Sequence, residues 1–426
     1  MIKKLLLPAA LIAMGHLGYS QSIDQIINET EVARVERILS ADDMGGRKPF
    51  TPGIDKAADF IASEFKKAGL KPVKRGSYLQ EFGMLRTKFL SASGTLNGKP
   101  LEEKDIIGVT AKPKLTITQK SKYKIVKASK DSLYVVYSRL TKTSGNYLLV
   151  VDTAARSMFN NLKRRSASFP PTASIIGVLT VEEPATYAIE FNQEVTNMPL
   201  KNVVGILPGK SKKKEYVIFS GHYDHLGIGK PNAAQDSIYN GANDDAAGTT
   251  AVIMLAHYFA RQKNNERTII FAAFTAEESG GFGSKYFSEQ YDPAKVMAMF
   301  NIEMIGTDSK WGNNSAFITG YEKSDMGKIL EKNLEGSNFK FYPDPYPQQQ
   351  LFYRSDNATL ARLGVPAHTI STSKMDSEKF YHTLDDEFET LDMKNMTEII
   401  KAIAISSTSI VAGKDTPSRV DASTLR

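Results

Sequence analysis

The chain has 426 residues, 41% hydrophobic and 24% charged, a balance that suits a globular protein with a sizeable core. It contains no cysteine, which excludes a disulfide framework, a thiolate metal site and lipid attachment through a thiol, so any metal must be held by histidines and carboxylates, as suits zinc or a harder divalent ion. The net charge of +7 comes partly from Lys210–Lys214 and Lys163-Arg164-Arg165, but no nucleic-acid motif or interleaved aromatic accompanies these runs, and they read as solvated loops.

Residues 1–20 read as a signal peptide. Lys3 and Lys4 precede an apolar run from Leu5 to Leu17, and Gly18 and Ser20 offer a cleavage point before Gln21. The apolar stretch is too short to span a bilayer comfortably and no second span follows, so the expectation is export to the periplasm or the medium, with no stable membrane insertion after cleavage. Thr51 to Leu70 predicts a helix, with Pro52 near its start, Ala57, Phe60, Ile61, Phe65 and Ala68 on one face, and Gly69 closing it.

From 85 to 199 the texture changes to short β-rich runs, among them Tyr123–Val126, Leu133–Tyr137, Tyr147–Val151 and Ser174–Val181. This segment reads as a β-rich insertion that divides a main domain into 21–84 and 200–426. The main domain then turns α/β. Tyr216–Ser220, Arg267–Thr275, Val296–Ile302 and Val365–Ile370 are apolar strands, and Asp245–Ala260 is helical with Val252, Leu255, Ala256 and Phe259 on one face. The expected fold is α/β, a mostly parallel or mixed sheet sandwiched by helices, with the β-rich domain inserted.

Polar residues fall at informative places relative to those strands. Tyr216–Ser220 leads into Gly221-His222-Tyr223-Asp224-His225, Arg267–Thr275 into Ala276-Glu277-Glu278-Ser279, and Val296–Ile302 into Glu303. In a parallel sheet these ends share one edge, where open α/β folds place their ligands. Asp244 lies in Gly241–Gly248 just before the helix, and His382 lies in Tyr381-His382-Thr383 beyond the fourth strand. Each piece alone has an ordinary explanation: a surface histidine, a helix cap at Asp244, a solvated helix start at Glu277-Glu278. Together they bring two imidazoles and three carboxylates from five segments, enough for two divalent ions sharing one carboxylate.

These segments resemble the co-catalytic zinc exopeptidases, the family of secreted bacterial aminopeptidases and aminopeptidase Y, to which glutamate carboxypeptidase is related. The resemblance rests on Gly45-Gly46-Arg47 with Thr51-Pro52-Gly53, the Gly221–His225 and Gly241–Gly248 stretches, Glu277-Glu278, Arg354-Ser355-Asp356-Asn357 and Tyr381-His382-Thr383. It implies an aminopeptidase acting on peptide N-termini with two zinc ions. By position, His222 would hold one ion with Glu303, Glu278 and His382 the other, and Asp244 would bridge them. Asp224 would orient the imidazole of His222, Glu277 would be the general base, Tyr381 would stabilise the oxyanion, and Arg354 would help hold the substrate. His225, Asp245, Asp356 and Asp386 fit the pattern as supports.

The sequence departs from the family at Glu303, where an aspartate is commoner; the extra methylene alters the geometry expected at the His222 ion and makes it the candidate weaker site. The insertion sits where many family members carry a protease-associated domain. Two other readings on related folds are a single-zinc glutaminyl cyclase and a non-catalytic binding ectodomain. The complete ligand set opposes both, and a tryptophan count of one further opposes the cyclase.

Overall fold

Three apolar strands, largely buried on both faces, decide the architecture of the larger of two units, whose described residues are 22–79 and 202–426. The structure, a computed structural model, describes residues 22–163 and 167–426; the signal-peptide reading and the Arg164-Arg165 part of one basic run lie outside the described residues. The strands are β1 (Tyr187–Leu207, of which 202–207 belong to this unit), β2 (Lys212–His222), β3 (Arg267–Phe274), β4 (Val296–Ile302), β5 (Ser315–Ile318), β6 (Lys340–Pro343) and β7 (Ala367–Ser371). Their order across the sheet is β6-β5-β7-β4-β2-β3-β1. The central neighbours β3, β2, β4 and β7 are parallel, β1 is antiparallel to β3, and β5 is antiparallel to β7.

Successive residues of a strand face opposite sides, and here both sides are apolar. Val217, Phe219, Ile269, Phe271, Ala298 and Phe300 face one core, which helices α1 (Glu29–Leu39), α2 (Pro52–Lys67), α3 (Ala247–Gln262) and α4 (Met393–Ser406) complete. Ile218, Ile270, Ala272, Phe274 and Met299 face a second core, covered by Phe287, Leu360 and Ala361 from short helices. Phe219 stacks on Phe300 at 4.8 Å and on Phe271 at 5.7 Å, which fixes the register of the three strands that carry the site.

The smaller unit, 80–201, contains a four-stranded sheet in the order Ile106–Val109, Ala173–Leu179, Gly145–Val151 and Lys124–Ala128. One expectation fails here: Leu133–Tyr137 is not a β run but the start of a helix, Leu133–Thr141. In a strand, Leu133 and Val135 would share a face. Instead Leu133 and Leu140 are buried while Val135 is 73% exposed, the spacing of a helix lying on the sheet. Among the described residues, no helix is long and apolar enough to cross a membrane.

A buried carboxyl between α1 and α3 yields a pH test of stability. Glu36 is fully buried and accepts the Thr250 hydroxyl at 2.7 Å, and burial pushes its acid up to about 8. The unfolded chain releases this proton near pH 4.5 while the folded chain holds it to about 8, so stability falls as pH rises through that window. Glu36→Gln is expected to unfold at higher denaturant than the parent at pH 8, by on the order of 2–4 kcal/mol, with the gap closing towards pH 4.5. Denaturant titrations at both pH values check this; a gap of constant size would exclude a folded-state proton on Glu36.

Candidate metal centre

Strand ends and one tight turn deliver four of the predicted ligands, and the irregular segment after β7 brings the fifth, His382. His222 is the last residue of β2, Glu277 and Glu278 follow β3, and Glu303 follows β4. Asp244 does not sit in a regular helix. The turn Ala242–Ala246 opens wider before α3, with Asp244 at φ −113°, ψ 92°, and α3 begins only at Ala247. The close fit behind it requires glycine: a Cβ on Gly248 would lie 2.1 Å from the Ile302 carbonyl oxygen.

The backbone here is pinned by two buried carboxylates. Asp245 accepts the N–H groups of His222, Gly248 and Met304 at 3.0–3.1 Å, tying β2, α3 and β4 together. Asp386 accepts the N–H groups of Asn243 and Asp244 at 2.8 and 3.0 Å, and burial raises its acid to about 6.

The side chains form two trios around Asp244. In the first, the donor atoms of His222, Asp244 and Glu303 lie within 4.8 Å of one another; in the second, those of His225, Asp244 and Glu278 do. The two oxygens of Asp244 face different imidazoles: Oδ1 is 3.2 Å from His222 Nε2, and Oδ2 is 3.2 Å from His382 Nε2. Glu278 Oε1 lies 3.1 Å from His382 Nε2 and 2.9 Å from His225 Nδ1. Donors of one zinc ion, each about 2.0–2.2 Å from it, stand no more than about 4.4 Å apart, and all four distances satisfy that limit.

In the second trio Glu278 Oε1 is hydrogen-bonded to His225 Nδ1 and His382 Nε2, so the fit to a metal is decided in the first trio, by what it lacks as a hydrogen-bonded cluster. His222 Nε2, Asp244 Oδ2 and Glu303 Oε2 are buried with no hydrogen-bond partner, although His222 and Asp244 are within reach. Buried polar atoms are nearly always paired, and atoms that converge without bonding one another suit a cation between them. The charges agree. Burial opposes ionisation of Asp244, yet the imidazoles of His222 and His382 hold its acid far below the usual range. Asp244 and Glu278 in turn push His382 up to about 10. Histidines and carboxylates in this arrangement fit zinc.

The supporting contacts differ from expectation in one respect. His222 Nδ1 donates to the main-chain carbonyl of Asp224 at 3.1 Å, while the Asp224 carboxylate lies 3.8 Å away and accepts the Glu277 N–H at 3.0 Å. Asp224 thus joins the loop after β2 to the loop after β3. His225, read from sequence as a support, belongs with Asp244 and Glu278; its closeness to His222 in Gly221–His225 was the available signal. Tyr381 stacks on His382, ring centroids 3.9 Å apart. Beside the trios is an open pocket with Glu303, Tyr381 and Arg354 among its lining and Met304, Phe317, Leu351 and Met375 as apolar wall.

A sequence profile of peptidase family M28 matches residues 202–406, the stretch that holds all of these groups. Over this stretch, just under half of its length, the chain resembles the peptidases of family M28. A probable leucine aminopeptidase of Trichophyton verrucosum is 27% identical over 265 residues, 59% of this chain and 70% of that protein. Leucine aminopeptidase 1 of Ajellomyces dermatitidis is 27% identical over 215 residues, 47% of this chain, so the match spans only 53% of that relative. Among solved structures, an aminopeptidase from Aneurinibacillus sp. strain AM-1 superposes with a TM-score of 0.54 at 16% identity, covering 92% of this chain and 96% of that one. BSAP, a zinc aminopeptidase from Bacillus subtilis, gives 0.53 at 15%, covering 92% and 98%. At such identities these two establish the fold, a mixed sheet with helices on both faces shared with M28 peptidases.

Proposed function

We propose that the protein is an exported zinc aminopeptidase that removes N-terminal residues from peptides, using two ions bridged by Asp244. The observation that carries the two-ion reading is that each oxygen of Asp244 faces a different imidazole. His222 and Glu303 would hold one ion, and Glu278 and His382 the other. The relatives named leucine aminopeptidase support this activity, and the orphaned buried ligand atoms support the metal. Two trios favour hydrolysis over a single-zinc cyclase.

Zinc, when bound, supplies Lewis acidity that polarises a carbonyl and makes water a nucleophile near neutral pH. The chain's own groups would do the rest. Glu277 lies outside both trios, next to Glu278 in the loop after β3. From there its carboxylate can take a proton from the attacking water and pass it to the leaving amine. The hydroxyl of Tyr381 would donate to the developing oxyanion. The apolar wall of the pocket suits an aliphatic first side chain, with Arg354 at its lining to orient the bound peptide.

Purified protein should hydrolyse aminoacyl-arylamides with aliphatic side chains. It should lose that activity on dialysis against a chelator, regain it on adding zinc, and leave N-terminally blocked peptides intact. Equal cleavage of blocked peptides would refute the aminopeptidase assignment, and indifference to the chelator would refute the metal.

A further inference from the structure

Gly45-Gly46-Arg47 supplies no ligand and lies outside the 202–406 stretch matched by the family profile, yet Arg47 is fully buried. Its guanidinium spends its donors on main-chain carbonyls of two ligand-bearing loops. Nε donates to Tyr223 O at 2.9 Å, between His222 and Asp224, and Nη2 to Gly241 O at 2.8 Å, three residues before Asp244. Nη1 adds Asn240 O and, from its own segment, Leu39 O.

Two further observations place the segment against the same loops. A Cβ on Gly46 would lie 2.6 Å from both Gly227 O and Tyr239 O, so backbone meets backbone there, at φ +63°. The Asn240 side chain reaches back to Ser40 O at 2.9 Å and Asp42 Oδ1 at 2.8 Å.

We infer that Arg47 is a positioning residue for the metal centre: from a segment without ligands, it sets the separation of the loop carrying His222 and the turn carrying Asp244. This rests on the metal-centre reading above. A planar fork of five donors can bridge several carbonyls at fixed spacing, which a lysine ammonium cannot. The charge matters as well. The carboxylates whose fields reach this guanidinium are Glu36, Asp386, Asp224 and Asp244, which include the proposed bridge and the group bracing it.

A purely structural arginine would change the stability of the fold and leave metal binding by the folded protein alone. Arg47→Lys is expected to retain native circular dichroism, to bind Zn²⁺ at least tenfold more weakly by calorimetry, and to show a shifted visible spectrum with Co²⁺. Folded Arg47→Lys with parental affinity and an unchanged cobalt spectrum would overturn the inference.

A second measurement needs no variant. Coupling is reciprocal, so if the segment tightens metal binding, metal must stabilise the segment. Zinc added to stripped wild-type protein should slow amide exchange across 39–47 more than across Gly145–Val151 in the smaller unit. Equal slowing would overturn the inference even if Arg47→Lys does not fold. If the wild-type protein takes up neither metal, the metal-centre reading itself falls. If it binds both and only the Arg47 arms fail, that reading stands alone.

Discussion

Glu277→Gln is expected to keep its zinc and to lose about 10²–10⁴-fold in kcat, the usual contribution of a positioned general base. The glutamine amide has almost the same shape and can still accept a hydrogen bond from water, but it cannot take the proton. Zinc content should be unaffected because Glu277 belongs to neither trio around Asp244. Its backbone is held independently of its side chain, through the Glu277 N–H to Asp224 Oδ1 at 3.0 Å, so the loop after β3 should stay in place. Zinc analysis and steady-state kinetics on one preparation make the test. Retention of more than about a tenth of wild-type kcat at full zinc content would move the base to another residue.

The same loop shows how far residues announce a site. His222, Glu278 and Glu303 could be placed on one edge because each follows an apolar run long enough to read as a buried strand, and parallel strands share their ends. The sheet's outer part was not readable. β5 and β6 have four residues each, too few to show a period, and their burial depends on the neighbours they pair with. Over 133–141, β-branched and aromatic residues favour a strand locally, while one buried face at helical spacing settles the outcome as a helix.

Main-chain contacts leave no mark in the sequence either. The His222 imidazole bonds the carbonyl of Asp224 rather than its carboxylate, and Arg47 bonds four carbonyls, acceptors that every residue carries and no motif marks. Glu303 shows the converse. Its chemical departure from the commoner aspartate was plain in the sequence, but only its placement shows that the longer side chain still brings an oxygen within 4.8 Å of the His222 and Asp244 donors.

Asp244→Asn is expected to weaken both ions, whereas Glu303→Gln should weaken one. Asp244 Oδ1 faces His222 and Oδ2 faces His382, so a single carboxylate is shared by both trios and would offset the repulsion between two dications held there. An amide keeps one acceptor oxygen and turns a donor N–H₂ towards whatever the other oxygen had served, which suits neither an ion nor a protonated imidazole. The backbone should hold, because the Asp244 N–H is bound by Asp386 at 3.0 Å and this bond does not involve the Asp244 side chain. Loss of an outer partner typically costs 10–100-fold in metal affinity, so loss of a shared ligand should exceed about 100-fold for each ion. Zinc content after dialysis, with unfolding transitions recorded on the same samples, separates ligand loss from damage to the fold. Comparable zinc loss from the two variants would leave no case for Asp244 as the bridge. Loss of one equivalent from Glu303→Gln and of two from Asp244→Asn is what a bridging carboxylate requires.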